Sequence, residues 1–291
     1  MLFTQLLLNG VAIGAVYALT ALGFVLVFKA TSVLNFAHGA FLMVASYLTV
    51  TFLGVYELPF LVGLVIIVVL LAGLGVVLHY GLMRFMIGQA FFSVVLVTVG
   101  LEILIRAVLL IFYGPLPRGR VDDLPTGGVE LFGGVNVPYV NMIMVAAAAI
   151  AVAVFLLFFK RSRVGLQMRA VAENLEAAAA MGIDPNKVYA AAWAIGLSLA
   201  AVGGVLYAHF TPAIDLELQV IGLRAFPAAI LGGIDSIGGA IVGGLLVGIV
   251  ESVGAGYLGA EFRDVIAFGI MFLVLLWRPS GLFGTRELVR V

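Results

Sequence analysis

Long uncharged apolar stretches recur along this chain, and they leave few folds open to it. Residues 131–159 and 188–208 contain no Asp, Glu, Lys or Arg. A helix needs roughly 20 mostly apolar residues to cross the hydrocarbon core of a bilayer. The whole chain is only 10% charged, whereas soluble domains carry about 25% charged residues. The sequence therefore predicts an all-α polytopic transmembrane helical bundle, formed as a single domain over residues 1–291.

Eight stretches have the composition expected of spans, and a ninth is ambiguous. The eight are residues 4–28, 35–53, 60–78, 90–112, 139–159, 188–210, 238–253 and 264–277. The ninth, residues 219–234, is short and contains Arg224 and Pro227. We interpret it as a broken or re-entrant helix, which is tolerated where protein or a water-filled cavity covers its backbone. The bundle is therefore expected to have about 8–9 spans.

One long polar segment, residues 160–187, interrupts the apolar pattern between two predicted spans. Its stretch 166–181 is rich in good helix formers, which predicts one short helix outside the bilayer. Gly182 fits the end of that helix, and Asp184 followed by Pro185 fits the start of the next one. The basic residues at the start of the segment, directly after an apolar span, indicate the cytoplasmic side.

The distribution of Lys and Arg predicts an external N-terminus and a cytoplasmic C-terminus. With nine crossings, this orientation places ten of the fifteen basic residues in the cytoplasm: Lys29, Arg84, Lys160, Arg161, Arg163, Arg169, Lys187, Arg278, Arg286 and Arg290. The loop 114–138, which is rich in Gly and Pro, then lies outside as a cap or hairpin.

Two similar breaks interrupt apolar sequence near the two ends of the chain. TSVLNFAHG (31–39) and ILGGIDSIG (230–238) each place a short polar group before a glycine that opens an apolar helix. They are either ordinary turns, with Asn35 capping the second helix, or broken helices along a translocation path. The candidate path or gate residues are Asn35, His38, Gly39, Gly232, Gly233 and Asp235.

Charged residues inside predicted spans need partners, because isolated charges are costly in a membrane. Glu102 and Arg106 are four residues apart, and we expect them to pair on one helix face rather than form a proton relay. The nearest candidate partners of Arg224 in the sequence are Asp215, Glu217 and Asp235, and the sequence does not select one of them. Arg224 could instead meet a substrate carboxylate in the pore. Arg224 is therefore a further path candidate.

Glycine contributes 36 of the 291 residues, and many occur in small-residue patterns. We expect these glycines to give the helices flat faces that allow close packing. The pattern is densest in one predicted span, at Gly238, Gly239, Gly243, Gly244 and Gly248.

The sequence excludes several functional classes. It contains no cysteine, its three histidines have no nearby carboxylates, and no P-loop pattern is present. We therefore expect no metal site, no cofactor, no catalytic residue and no ATP site on this chain. The formal net charge is zero, which makes nucleic acid an unexpected partner.

Three stretches, in this order, resemble the branched-chain amino acid ABC-transporter permeases of the LivH type: NGVAIGAVYALTALGFVLVFKATSVLNFAHG, RAVAENLEAAAAMGI and AFPAAILGGIDSIGGAIVGGLLVG. Within the second, the Glu-Ala-Ala string and the later Gly182 resemble the cytoplasmic EAA loop of ABC-importer permeases. That loop seats in a groove of the ATPase subunit. The resemblance implies a coupling role for Arg169, Glu173, Glu176, Ala177, Ala178 and Gly182.

The resemblance also implies a bacterial inner-membrane location and a set of partners. They are a second permease of the LivM type, two cytoplasmic ATPase subunits, a periplasmic amino-acid-binding protein and membrane lipid. Permeases for urea and short amides are similar, so these substrates remain an alternative. A secondary ion-coupled transporter is a second alternative, and the absence of a convergent catalytic set argues against an intramembrane enzyme.

Overall fold

The computed structural model describes residues 1–121, 123–131 and 134–284. These residues form eleven α-helices and four short strands, connected by brief 3-10 and π-helical turns. The helices are α1 (Leu2–Thr31), α2 (His38–Thr49), α3 (Phe60–Gly81), α4 (Phe91–Tyr113), α5 (Tyr139–Arg161), α6 (Arg163–Glu173), α7 (Leu175–Ala180), α8 (Pro185–Phe210), α9 (Gln219–Gly232), α10 (Ile237–Leu258) and α11 (Arg263–Trp277).

The predicted all-α polytopic bundle is confirmed. Seven helical runs of the described chain are long and apolar enough to cross a membrane, namely α1, α3, α4, α5, α8, α10 and α2 together with its π-helical continuation Val50–Val55. The predicted count of 8–9 also included the segments that form α9 and α11. These have 14 and 15 residues, which corresponds to roughly 21–23 Å of helix against a core of about 30 Å.

Helix α1 lies at the centre of the bundle. Within its most apolar window, 89% of the residues are buried, compared with 22% in α3, 22% in α4 and 17% in α5. The exposed residues of these three helices are mainly large and apolar. In a chain that spans the membrane, they therefore form the rim that faces lipid, while α1 and α8 form the interior.

Close glycine contacts join α1 to α10, as the small-residue pattern predicted. A Cβ atom added to Gly14 would lie 2.9 Å from the Cα of Leu245, and one added to Gly248 would overlap the backbone of Gly14. The packing role is confirmed for Gly239, Gly243, Gly244 and Gly248, each of which faces neighbouring backbone. It is wrong for Gly238, which faces open space.

The loop 114–138 contains a hairpin, which is one of the two forms predicted for it. Strands β2 (Gly128–Leu131) and β3 (Val135–Pro138) pair antiparallel. A second pair joins β1 (Arg118–Gly119) to β4 (Ala213–Ile214), which follows α8. The loop is thereby fixed to the end of α8, where His209 Nε2 lies 2.6 Å from Asp123 Oδ1.

The polar segment 160–187 differs from its prediction in one respect. The single helix predicted over 166–181 is wrong, because Asn174 adopts an extended conformation and divides the stretch into α6 and α7. The Asn174 side chain accepts a hydrogen bond from the backbone N–H of Ala177 at 2.9 Å. Asparagine favours such caps over helix interiors, since its side chain competes for backbone groups.

The predicted helix boundaries that follow are confirmed. Gly182 has φ +82° after α7, a left-handed conformation typical of glycine at a helix end. Asp184 accepts a hydrogen bond from the backbone N–H of Asn186 at 3.0 Å, and Pro185 is the first residue of α8. Of the predicted cytoplasmic basic residues, Arg286 and Arg290 lie outside the described part of the chain.

Candidate functional site

The first break lies between α1 and α2 and is buried. Asn35 and His38 are 1% and 3% exposed. The Asn35 Oδ1 accepts a hydrogen bond from the Ala37 N–H at 3.1 Å, and the Thr31 hydroxyl accepts one from the Val33 N–H at 3.2 Å. The predicted capping of the second helix by Asn35 is wrong, because the N-cap of α2 is Ala37 and no side chain caps this helix. Asn35 instead forms a local turn within the break, which is enclosed by protein.

Three polar side-chain atoms at this break have no hydrogen-bond partner among the described residues. They are Asn35 Nδ2 and both ring nitrogens of His38. The His38 ring stands edge-on to Phe24, with centroids 6.2 Å apart. Buried polar groups without partners are unfavourable and uncommon in folded proteins. The break therefore concentrates unsatisfied polarity inside an apolar bundle.

Gly39, the third candidate of the first break, contacts α9 through its backbone. A Cβ atom added to Gly39 would lie 2.5 Å from the Gln219 carbonyl oxygen and 2.9 Å from the Gly222 Cα. Gly222 meets the backbone of Gly39 in the same way. The backbones of α2 and α9 are therefore in direct contact at these two glycines.

The second break lies between α9 and α10 and is closed by the chain after α11. Gly232 and Gly233 end α9, with φ +110° at Gly233. Leu282 N–H donates to the Leu231 carbonyl at 2.8 Å, and Phe283 N–H donates to the Gly232 carbonyl at 2.9 Å. These contacts satisfy carbonyl groups that a helix end otherwise leaves open.

Helix α9 connects the two breaks. The first break packs against the middle of α9, where Phe226 lies 5.4 Å from Phe24 and 5.5 Å from Phe36 between ring centroids. The second break lies at the C-terminal end of α9. Asp235 is reached from α1, because Lys29 Nζ donates to its backbone carbonyl at 3.0 Å. The candidate residues of the two breaks thus form two groups along one short helix.

Arg224 has partners that the sequence did not indicate. Its Nε donates to Asp264 at 2.6 Å and its Nη1 donates to Glu251 at 3.3 Å. The predicted partners Asp215, Glu217 and Asp235 are therefore wrong. Glu251 is almost completely buried and also accepts a hydrogen bond from the Tyr17 hydroxyl at 2.7 Å. This network ties α9 to α1, α10 and α11.

Sequence reasoning missed Tyr17, Glu251 and Asp264 as members of this network. Glu251 carried a signal, since it is the one carboxylate within the apolar run that forms α10 (Ile237–Leu258). An acidic residue at such a position needs a partner. The position of Arg224, in the neighbouring apolar segment, supplied the complementary charge.

The predicted direct pair between Glu102 and Arg106 is also wrong. Arg106 Nη2 instead lies 3.3 Å from Glu217 Oε1. The orientation of the Gln219 amide that satisfies its hydrogen bonds lets its oxygen accept from Arg106 Nη1 at 3.0 Å while its nitrogen donates to Glu102. The two charges of α4 are therefore bridged by an amide from α9.

The candidate coupling residues divide into anchors and exposed groups. Arg169 donates to the Phe159 and Lys160 carbonyls, and its guanidinium lies 5.3 Å from the centre of the Phe159 ring. Ala178 lies on the buried face of α7. The other four candidates, Glu173, Glu176, Ala177 and Gly182, are exposed. The apolar side chains of Leu175 and Met181 are exposed beside them.

Within the described residues, no group of three His, Asp or Glu side chains could hold a metal ion. Polar atoms instead concentrate at the helix breaks, at the Arg224 network and at the Gln219 bridge.

Comparison with known proteins identifies close relatives over the whole chain. The family described as "Branched-chain amino acid transport system / permease component" matches residues 6–275. The chain is 32% identical to the high-affinity branched-chain amino acid transport system permease protein BraD of Pseudomonas aeruginosa, over 99% of this chain and 98% of that protein. It is 31% identical to the corresponding protein LivH of Escherichia coli over the same shares.

A more distant relative is the permease protein LivM of Escherichia coli. It is 24% identical over 92% of this chain and 67% of its own length. No solved structure matches this chain.

Proposed function

Because the chain belongs to the family of branched-chain amino acid transport system permease components, we propose that it is the permease subunit of an ATP-driven importer. It forms half of a pore for branched-chain amino acids. A second permease of the LivM type forms the other half, two cytoplasmic ATPase subunits hydrolyse ATP, and a periplasmic binding protein delivers the substrate. The chain is a multi-pass membrane protein, and we place it in the bacterial inner membrane with an external N-terminus and a cytoplasmic C-terminus.

The arrangement of the polar segment 160–187 carries this proposal. Arg169 fixes the segment to the end of α5, while Glu173, Glu176 and Met181 are exposed. An anchored segment with exposed acidic and apolar groups suits docking to a partner protein. In the importer, this segment seats on an ATPase subunit and transmits its closure to α5 and α8.

The two helix breaks are the proposed substrate path or gate. Their backbone groups would be costly in hydrocarbon, so interrupted helices belong where protein or water covers them. Asn35, His38 and Gly39 act at the N-terminal half of α9, and Gly232, Gly233 and Asp235 act at its C-terminal end. Arg224 holds α9 in place between them.

Reconstitution tests the proposed function directly. The chain is placed in proteoliposomes with the second permease, the ATPase subunits and the binding protein, and uptake of radiolabelled leucine is measured. We expect uptake to require ATP and every partner. An otherwise identical preparation with a hydrolysis-deficient ATPase is the control. Leucine uptake by this chain alone, driven by a proton or sodium gradient, would instead establish the secondary transporter.

Competition defines the substrate class in the same preparation. We expect unlabelled isoleucine and valine to block leucine uptake, since the described spans are strongly apolar and carry few charged residues. Urea and acetamide are the comparison compounds. Strong competition by these two, without competition by valine, would assign the chain to the amide-transporting alternative.

A further inference from the structure

Helix α4 carries two charged side chains at a depth where lipid is a poor environment for them. Glu102 is the middle residue of this 23-residue span, and Arg106 follows one turn later. Glu102 is partly exposed, and the Arg106 side chain is 42% exposed. Ionisable side chains inside a membrane face a water-filled cavity or another protein. This face of α4 is therefore unlike the lipid-facing rim to which most of the helix belongs.

The charges around Glu102 do not balance. The group formed by Glu102, Arg106, Glu217 and Gln219 contains two carboxylates and one guanidinium, which gives a net charge of −1. Arg106 is engaged with Glu217 at 3.3 Å. Glu102 receives only the neutral Gln219 amide among the described residues. A cationic group is therefore the complementary partner for this site.

A cavity of about 230 Å³ opens beside Glu102. Its wall consists of Phe36, Gly39, Ala40, Val99, Glu102, Gln219 and Leu223. Two of these seven side chains are polar and the others are apolar or glycine. The volume lies below the roughly 300–1,000 Å³ typical of sites for drug-sized ligands. The cavity therefore suits a small amphipathic molecule.

The cavity also adjoins the first helix break. Gly39 belongs to both, and Thr98, one turn before Glu102, donates a hydrogen bond to the Leu34 carbonyl at 3.3 Å. The unpaired polar atoms of Asn35 and His38 belong to the same break. Asn35 and His38 do not line the cavity themselves, but they flank Phe36 and Gly39, which do.

We propose that this cavity is a station for the transported amino acid on the translocation path. Glu102 receives the α-ammonium group, Gln219 contacts the polar end of the substrate, and Phe36, Val99 and Leu223 contact its aliphatic side chain. This inference rests on the proposed function and names the residues that recognise the substrate. It assigns Glu102 a binding role in place of the structural pair with Arg106 expected from their spacing.

Thiol labelling in the assembled importer tests the location, because the chain has no cysteine of its own. The Val99→Cys variant places a thiol in the cavity wall, and Ile103→Cys is the matched control on the same helix. Ile103 is 60% exposed but does not line the cavity. We expect a water-soluble thiol reagent to modify Val99→Cys about tenfold faster or more. Leucine with its binding protein should slow this reaction, and glucose should not.

Reagent charge tests the role of Glu102. A cationic thiosulfonate should modify Val99→Cys about tenfold faster than an anionic one. Clefts lined by one sign of charge raise the association rate of oppositely charged molecules by about tenfold or more. The added Glu102→Gln substitution should abolish this preference. In uptake assays, Glu102→Gln should raise the KM for leucine about tenfold, and Glu102→Asp should restore part of it.

Three outcomes would contradict the proposal that this cavity binds the transported amino acid. Equal labelling of Val99→Cys and Ile103→Cys would place this face in lipid. Labelling that occurs in the isolated chain and is lost in every nucleotide state of the complex would make the face an interface with the second permease. A labelling rate that leucine does not change would show that leucine does not bind in this cavity. Because the unsubstituted importer is assayed for leucine uptake in parallel, each outcome can be separated from failure of the proposed function.

Discussion

Gly39 and Gly222 bring the backbones of α2 and α9 into direct contact, and neither position has room for a side chain. We predict that Gly39→Ala destabilises the protein by about 1–3 kcal/mol, because overpacking a tight contact forces backbone shifts. The thermal midpoint of the purified complex measures this change. Gly100→Ala on α4 is the control, since nothing lies within 4 Å of its added Cβ. Equal midpoints for the two variants would contradict the prediction.

Removing Arg224 should be more damaging than removing its exposed partner. Arg224→Ala leaves Glu251 buried without a cation, and breaking a buried pair costs about 3–5 kcal/mol. Asp264→Asn should cost less, since the Asp264 side chain is 56% exposed. Thermal unfolding of both variants measures the difference. The double variant Arg224→Met with Glu251→Gln should recover part of the loss, whereas no recovery would show that Arg224 acts through other contacts.

The polar segment offers a test of coupling that separates docking from backbone strain. Glu176→Lys reverses an exposed charge in the first turn of α7, and Gly182→Val places a β-branched residue at φ +82°. We expect both to lower substrate-stimulated ATP hydrolysis several-fold while the chain still inserts in the membrane. Gly88→Val is the matched control, because Gly88 has a similar φ of +79° in a different connection. Normal ATPase assembly and uptake in the first two variants would remove the coupling proposal.

The gate proposal can be tested by following accessibility through the transport cycle. Single cysteines at positions 35, 38, 233 and 235 should react with a water-soluble reagent at rates that change when ATP or loaded binding protein is added. Leu116→Cys, in the exposed loop after α4, should react at a constant rate. Rates that stay constant at all four positions, with normal uptake, would leave the breaks as structural turns.

Local features of this fold could be predicted from sequence because they depend on neighbouring residues. Asp184 and Pro185 start α8, and Gly182 ends the preceding turn. Asn35 was expected to cap α2, but its side chain bonds to the Ala37 N–H one residue too early. The apolar stretches likewise predicted the helical bundle. A chain that crosses a membrane must satisfy its backbone hydrogen bonds internally, and few structures other than helices do so.

The remaining features depend on which helices meet, and sequence distance does not reveal that. Arg224 meets Glu251 and Asp264, which lie 27 and 40 residues further along the chain. Asp215, Glu217 and Asp235 are closer to Arg224 in the sequence, but they do not pair with it in the structure. The bridging of Glu102 and Arg106 by Gln219 was hidden for the same reason. Asn174 was a local feature, yet the helix-forming residues on both sides of it masked its effect.

The central position of α1 has a consequence for biosynthesis. Helix α1 is synthesised well before α10, which begins at Ile237 and covers Gly10 and Gly14 of α1. At about 5–20 residues per second, roughly 10–40 s of synthesis separate the two helices. Until then, α1 remains beside lipid or the insertion machinery. Its sequence tolerates this wait, because it carries no charge before Lys29. A helix whose most apolar window is 89% buried in the folded protein must therefore first exist without the helix that covers its glycines.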